Sequence, residues 1–141
     1  MNRNGWATPG GGASNVGAAN ARRILVVDDN QDSAEMVAEA LLEFGHQVEV
    51  ALDGPTALTA AESFKPDVAL VDIGLPLMDG YELARRLRAS GGVPKHLRLI
   101  AVTGHGLDSD RRRAEEAGFH KHLIKPLDLM ILKQIVEDLH S

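Results

Sequence analysis

Apolar positions along this chain recur with two alternating periods. From Arg22 onward, short runs of Val, Ile and Leu trade places five times with segments whose apolar residues fall three and four apart. Arg23 to Val27 (RILVV) predicts a first strand, ending in Asp28-Asp29-Asn30 where a helix begins. Asp32 and Ser33 suit the first turn of that helix, Ala34, Val37, Leu41 and Phe44 give it one inward face, and Gly45 stops it. His46 to Leu52 (HQVEVAL) alternates polar and apolar as a second strand. Asp53-Gly54-Pro55 then opens a helix through Ala57, Leu58, Ala61 and Phe64, which Pro66 closes. The third strand is Val68 to Val71, and Asp72 ends it. A helix from about Asp79 to Ala89 follows, with Leu83 and Leu87 inward and Arg85, Arg86 and Arg88 on its wet side. After a loop over 90–96, Leu97 to Val102 predicts a fourth strand ending at Thr103-Gly104. A charged helix from Asp108 to Ala117 is stopped by Gly118. His120 to Ile124 is the fifth strand, ending at Lys125-Pro126, and the last helix runs from Asp128 as N-cap through Leu132, Ile135, Val136 and Leu139.

Five strand-then-helix units with short connections predict an α/β fold, a parallel sheet covered by helices on both faces. Strands buried on both faces read as continuous apolar runs, which makes the first, third and fourth central. The second, with Glu49, and the fifth, with His120, Lys121 and His122, read as edges that polar residues protect from mispairing. No internal repeat suggests a solenoid.

Residues 1–21 break this pattern: Gly, Ala, Asn and Ser with a lone Trp6, no periodicity and one charge, Arg3. Such a stretch cannot offset its ordering entropy by burial and reads as a flexible tail before one domain over 22–141. Trp6 is a docking anchor or an incidental aromatic. The 141 residues suit a single core, and 44% hydrophobic with 25% charged residues is a soluble mixture. No apolar stretch approaches the roughly 20 residues that span a bilayer, and no secretory signal opens the chain, so membrane insertion is not expected and a cytoplasmic setting is. Without cysteine there are no disulfides or thiolate metal sites. The net charge of -5 argues against direct nucleic-acid binding. The one basic cluster in the sequence, Arg111 to Arg113, is faced by Asp108, Asp110, Glu115 and Glu116.

In an open parallel sheet, ligands bind beyond the carboxyl ends of the strands, near the point where strand order reverses. Asp28 and Asp29 end the first strand there, Asp72 the third, Thr103 the fourth and Lys125 the fifth. Two carboxylates about 4 Å apart repel by about 4 kcal/mol at an effective dielectric of 20, so such a triad raises a pKa or takes up a cation. An all-oxygen donor set suits Mg²⁺ better than Zn²⁺. Lys125 adds a positive point charge and Thr103 a hydroxyl, a combination suited to a phosphoryl group, with Asp72 as nucleophile forming an aspartyl phosphate.

Together, DD at 28 and 29, DIGLPLMDG from 72, TG at 103 and 104 and KP at 125 and 126 resemble the receiver domain of two-component response regulators. The resemblance covers about residues 22–140, and DIGLPLMDGYELARRLR is particularly similar to receivers attached to hybrid histidine kinases. It implies a flavodoxin-like (βα)5 doubly wound parallel sheet of strand order 2-1-3-4-5, as in chemotaxis receivers. It further implies a histidine-to-aspartate phosphorelay in which Asp72 takes phosphate from a histidine kinase or histidine phosphotransfer protein and switches partner interactions. Asp29 and Asp72 would hold Mg²⁺ directly, Asp28 through water, and the Gly74 backbone carbonyl would complete the ligands. Thr103 and Lys125 would bind phosphoryl oxygens, and the Lys125-Pro126 bond would be cis. The chain would act on itself, with autodephosphorylation and no turnover substrate, as a single-domain regulator or a receiver cut from a hybrid kinase. A weak dimer is allowed.

One position departs from the family. Three residues before the lysine, where Tyr or Phe usually acts as a switch with the threonine, stands His122. It is either a protonation-coupled switch or a polar edge residue. His105 is a phosphoryl or partner contact, or simply solvated. The helix over 108–117 is a solvated face or a recognition surface, and Met130 and Ile131 a docking patch or incidental exposure. Gly74 and Gly104 leave the acceptor open to water, which predicts a short-lived phosphorylated state. Two rival classes fit less well. A Mg²⁺-dependent phosphohydrolase would need a general acid where Gly74 stands, and a flavodoxin-like cofactor binder would need a phosphate-cradling loop where Asp28 and Asp29 stand.

Overall fold

A computed structural model describes residues 21–104 and 108–138, the side chains of 108–111 excepted. The expectations for Trp6, His105 and Leu139 lie outside the described residues. Strands and helices alternate as β1 Arg23–Val27, α1 Gln31–Glu43, β2 Gln47–Ala51, α2 Gly54–Phe64, β3 Val68–Asp72, α3 Gly80–Ala89, β4 Arg98–Thr103, α4 Asp108–Ala117, β5 Lys121–Ile124 and α5 Leu129–Asp138. All strand pairs are parallel, in the order β2-β1-β3-β4-β5. The order reverses at β1 and β3, so the connections after these two strands diverge and leave a crevice above their ends.

Alternation along the strands builds two cores. Leu25, Val27, Ala69, Val71, Leu99 and Ala101 pack under α2, α3 and α4. Their neighbours Ile24, Val26, Val68, Leu70, Ile100 and Val102 pack under α1 and α5. The predicted edges are edges: β2 and β5 show partly exposed residues, whereas β1, β3 and β4 are almost wholly buried.

Short polar side chains set the helix starts. The Asn30 carboxamide accepts from the Ser33 N–H, Asp53 from Thr56, Asp79 from Glu82 and Asp128 from Met130 and Ile131, each close to 3 Å. Gly45 and Gly118, at φ 99° and 104°, end α1 and α4. The stop after α2 is not Pro66 itself but Lys65, at φ 54°, because the residue before a proline is driven out of the right-handed helical region. Arg88 is exposed, as expected, and its guanidinium reaches along the surface to donate to the carbonyls of Leu97 at 2.6 Å and Gly118 at 3.0 Å.

His46 lies at the start of β2 and is 4% exposed. Its Nδ1 accepts from the Arg22 N–H at 3.0 Å, which leaves Nε2 to carry the proton, 3.5 Å from Glu137 of α5. Burial lowers its pKa, the nearby Glu137 opposing this only in part. The unfolded chain therefore takes up this proton at higher pH than the fold does. Stability is full above about pH 6.5 and is lost as pH falls through the imidazole range. The urea midpoint should drop between pH 7.5 and 5.5, and His46→Gln should flatten part of that slope; an unchanged slope would remove His46 from the account.

Candidate functional site

The crevice above β1 and β3 is where the carboxylates gather. The Asp28 N–H continues the ladder to Ala51 O at 3.1 Å, so its side chain leaves the sheet where β1 ends. One of its oxygens, Oδ1, accepts from the Asn30 N–H at 2.9 Å, and Asn30 in turn caps α1. Asp29 is exposed between them. Asp72 is the last residue of β3, and its Oδ1 accepts from the Gly74 N–H at 2.9 Å. Carboxylate oxygens of Asp28, Asp29 and Asp72 all lie within 4.8 Å of one another.

Lys125 arrives from the far side. Its N–H donates to Thr103 O at 2.8 Å, and its peptide bond to Pro126 is cis, as expected. The ammonium sits 3.1 Å from Asp72 Oδ2 and 3.4 Å from Asp28 Oδ2. Both carboxylates are nearly covered, at 12% and 13% side-chain exposure, while Lys125 keeps 37%. Burial raises the Asp28 pKa, an effect that the Asn30 N–H and the Lys125 charge only partly offset. Burial pulls Lys125 the other way, but its hydrogen bond to Asp72 and the charges of Asp72 and Asp28 more than reverse this and raise it. One ammonium among three carboxylates leaves an excess of negative charge. The all-oxygen donor set and this charge fit a hard divalent cation.

Thr103 closes β4 at 7% exposure, one residue beyond Val102, the register partner of Asp72. Gly74 is exposed, and a Cβ there would stand 3.7 Å from Asp72 Oδ1. His122 does not join this group. It is half-buried on β5 opposite Ala101, on the α4 side of the sheet, and lines a groove with Ala114 and Glu115. Met130 and Ile131 are exposed at 65% and 52%, as far as the docking expectation goes.

Sequence reasoning missed three features. The first is an apolar cavity of about 370 Å³ beside Asp28, Asp72 and Lys125, walled by Val37, Leu70, Val102 and Leu127, with Met36 exposed at its edge. The second is the backbone at Leu77. Met78 N–H donates to Pro76 O at 2.7 Å across Leu77, which has φ 69° and is 86% exposed. This is a γ-turn of the uncommon positive-φ kind, strained for a side chain of this size. Leu77→Asn should therefore stabilise the fold by about 0.5–1 kcal/mol, read as a higher urea midpoint; a lower midpoint would show that Leu77 packs usefully. The third is charge. Besides Arg111 to Arg113, the fold assembles a second basic cluster from Arg88, Lys95, His96, Arg98 and His120.

A family model described as the response regulator receiver domain matches residues 24–137. The sensor histidine kinase RcsC of Salmonella typhimurium is 37% identical over 111 residues, 79% of this chain and 11% of that protein. Response regulator PleD of Caulobacter vibrioides is 34% identical over 110 residues, 78% of this chain and 24% of that protein. The chain thus spans about a tenth to a quarter of the length of these curated relatives. Among solved structures, a CheY-like receiver from Methanospirillum hungatei superposes with a TM-score of 0.77 at 27% identity, covering 84% of this chain and 92% of that one. The receiver domain of sensor histidine kinase PA1611 from Pseudomonas aeruginosa, solved with magnesium in its active-site cleft, gives 0.74 at 32% identity, covering 83% and 95%. Fold, strand order and sequence agree, and the chain belongs to the response regulator receiver domain family.

Proposed function

We propose that Asp72 is the phosphoacceptor of this receiver, charged by a phosphohistidine on a histidine kinase or phosphotransfer protein in the cytoplasm. The observation that carries the reading is the gathering of three carboxylates within 4.8 Å around one ammonium, 3.1 Å from Asp72. An Asp72 carboxylate oxygen attacks phosphorus in line, the N–P bond breaks, and its electron pair returns to the donor imidazole. Lys125 exchanges its Asp72 contact for a phosphoryl oxygen, and the Thr103 hydroxyl donates to another. Asp29, Asp72 and the Gly74 carbonyl would hold Mg²⁺ directly and Asp28 through water, and the ion would supply charge neutralisation for the transfer. The exposed Met36 and the apolar cavity beside it suit an apolar helix face on the phosphodonor. The chemistry is performed on the chain itself, so the domain is a switch and not an enzyme with a turnover substrate.

Intact mass after incubation with acetyl phosphate and Mg²⁺ tests this. Wild type should gain one phosphoryl group and Asp72→Asn none. No gain on wild type would overturn the reading, and equal labelling would move the acceptor elsewhere. With Gly74 exposed beside the acceptor and Gly104 exposed just after β4, the label should also be lost quickly in Mg²⁺ buffer. Persistence over many hours would contradict that openness.

A further inference from the structure

The apolar cavity beside the carboxylates opens between the first turns of α1 and the chain that leads from β5 into α5. Val37, Leu70, Val102 and Leu127 wall it, Met36 and Pro126 are exposed at its mouth, and Asp28, Asp72 and Lys125 form its polar end. Its volume of about 370 Å³ has room for a compact aromatic group. Three carboxylates and one ammonium leave the polar end negative. An ionised carboxylate there can accept from several donors at once. The cavity therefore fits an amphipathic occupant: an apolar body, a hydrogen-bond donor at one edge and a positive charge close by.

The chain carries such a group ahead of β1. Of residues 1–20, only Met1, Trp6 and Val16 have large apolar side chains, and Trp6 is the single tryptophan of the protein. An indole combines a broad apolar face with one N–H, which a buried tryptophan directs at an acceptor. Arg3 is the single charged side chain of this stretch, and it is positive where the end of the cavity is negative. Reach is no obstacle. Arg23 starts β1, and Val27, about 13 Å further along the same strand, lines the cavity. The 15 residues between Trp6 and Arg22 span up to about 50 Å, enough for that distance and for rounding a helix of about 10 Å diameter.

We propose that Trp6 docks into this cavity of its own chain, with the indole N–H toward Asp28 and Asp72 and with Arg3 beside the carboxylates. Tethering makes the contact intramolecular, so an affinity too weak to hold a separate peptide suffices. A phosphodonor whose helix uses Met36 and the cavity must displace the indole first. That consequence rests on the reading of Asp72 as the phosphoacceptor, whereas the docking itself does not.

The test is acrylamide quenching of tryptophan emission in the full chain, without Mg²⁺ or a phosphoryl donor, where the signal comes from Trp6 alone. Quenching should be roughly a third or less of that of N-acetyltryptophanamide, because a pocket covers about 70–90% of its occupant. The emission should lie to the blue of the urea-unfolded chain and stay there on dilution. Arg3→Gln should raise the quenching about twofold. Amide shifts between wild type and Trp6→Ala should centre on Met36, Val37, Leu70, Val102 and Leu127, and both substitutions lie outside the described fold. Quenching equal to that of the free amide, equal protection in Arg3→Gln, or amide shifts on another face would each overturn the proposal. Protection that vanishes on dilution would overturn it in favour of a second copy as the occupant. Labelling of Asp72 by acetyl phosphate is read separately, so a failed acceptor and a failed dock give different results.

Discussion

Asp28→Asn is expected to make the metal-free protein more stable while making it a poorer Mg²⁺ binder. The Asp28 carboxylate is 8% exposed, its pKa is raised by burial, and Lys125 serves it only as the longer of two contacts. A carboxylate whose folded pKa lies above its unfolded value costs stability once pH exceeds the ordinary carboxylate range, and neutral pH is well beyond it. Asparagine removes that charge yet still presents an oxygen to the Asn30 N–H, and Lys125 keeps Asp72. The gain should be on the order of 1 kcal/mol without Mg²⁺, seen as a higher urea midpoint. With Mg²⁺ the order reverses in part. Wild type gains stability with the logarithm of metal over Kd, whereas the variant, with Mg²⁺ affinity reduced about 10–100-fold, gains less at the same concentration. Phosphorylation by acetyl phosphate at limiting Mg²⁺ should slow in proportion. A variant less stable than wild type in EDTA would mean that Asp28 holds the fold together rather than straining it.

Gly80→Ala is expected to damage both fold and site through one added carbon. A Cβ on Gly80 would stand 2.8 Å from the Ile73 Cα, 2.9 Å from the Asp72 carbonyl oxygen and 3.0 Å from the Ile73 Cδ1. Two of these neighbours are backbone and cannot swing aside. The approach is enforced by the Gly80 N–H, which donates to Ile73 O at 3.1 Å, while the Ile73 N–H donates to Val102 O at 2.9 Å. The first turn of α3 is thus laid directly on the chain leaving β3. Relieving the clash requires separating the two, at a cost of about 1–3 kcal/mol. The same movement shifts Asp72 against Lys125, so labelling by acetyl phosphate should slow by more than the loss of folded protein explains. Gly92 is the internal control. Its added Cβ would meet only the exposed Glu62 side chain, at 3.1–3.5 Å, which can move aside, and Gly92→Ala should cost less. Equal losses for the two alanine variants would refute the backbone argument.

Much of the fold was legible because each element carries redundant signals. α1, α2, α3 and α5 have a short polar cap and an apolar stripe, and β1, β3 and β4 are too uniformly apolar for a surface. The carboxylates were legible for a related reason: an acid at the end of an apolar run is costly unless something answers its charge. What the sequence concealed depends on distances in space. Arg88, Lys95, Arg98 and His120 come from three stretches and look like ordinary surface polarity until the strands pair. The turn at Leu77 was hidden because leucine gives no sign that its φ is positive. Gly80 read as part of an Asp-Gly helix start, and only the path of Asp72-Ile73 beside it reveals the close approach.

The contact between Lys125 and Asp28 joins residues 97 apart in sequence, and that between Lys125 and Asp72 joins residues 53 apart. Lys125 follows the last strand, so the ammonium reaches the carboxylates only when β5 has docked on β4. A growing chain emerging from the ribosome can form β1, β3 and their acids long before it owns the group that completes them. The ammonium is therefore translated after every acid it pairs with, and a copy that stops short of Lys125 holds the carboxylates without the charge that answers them.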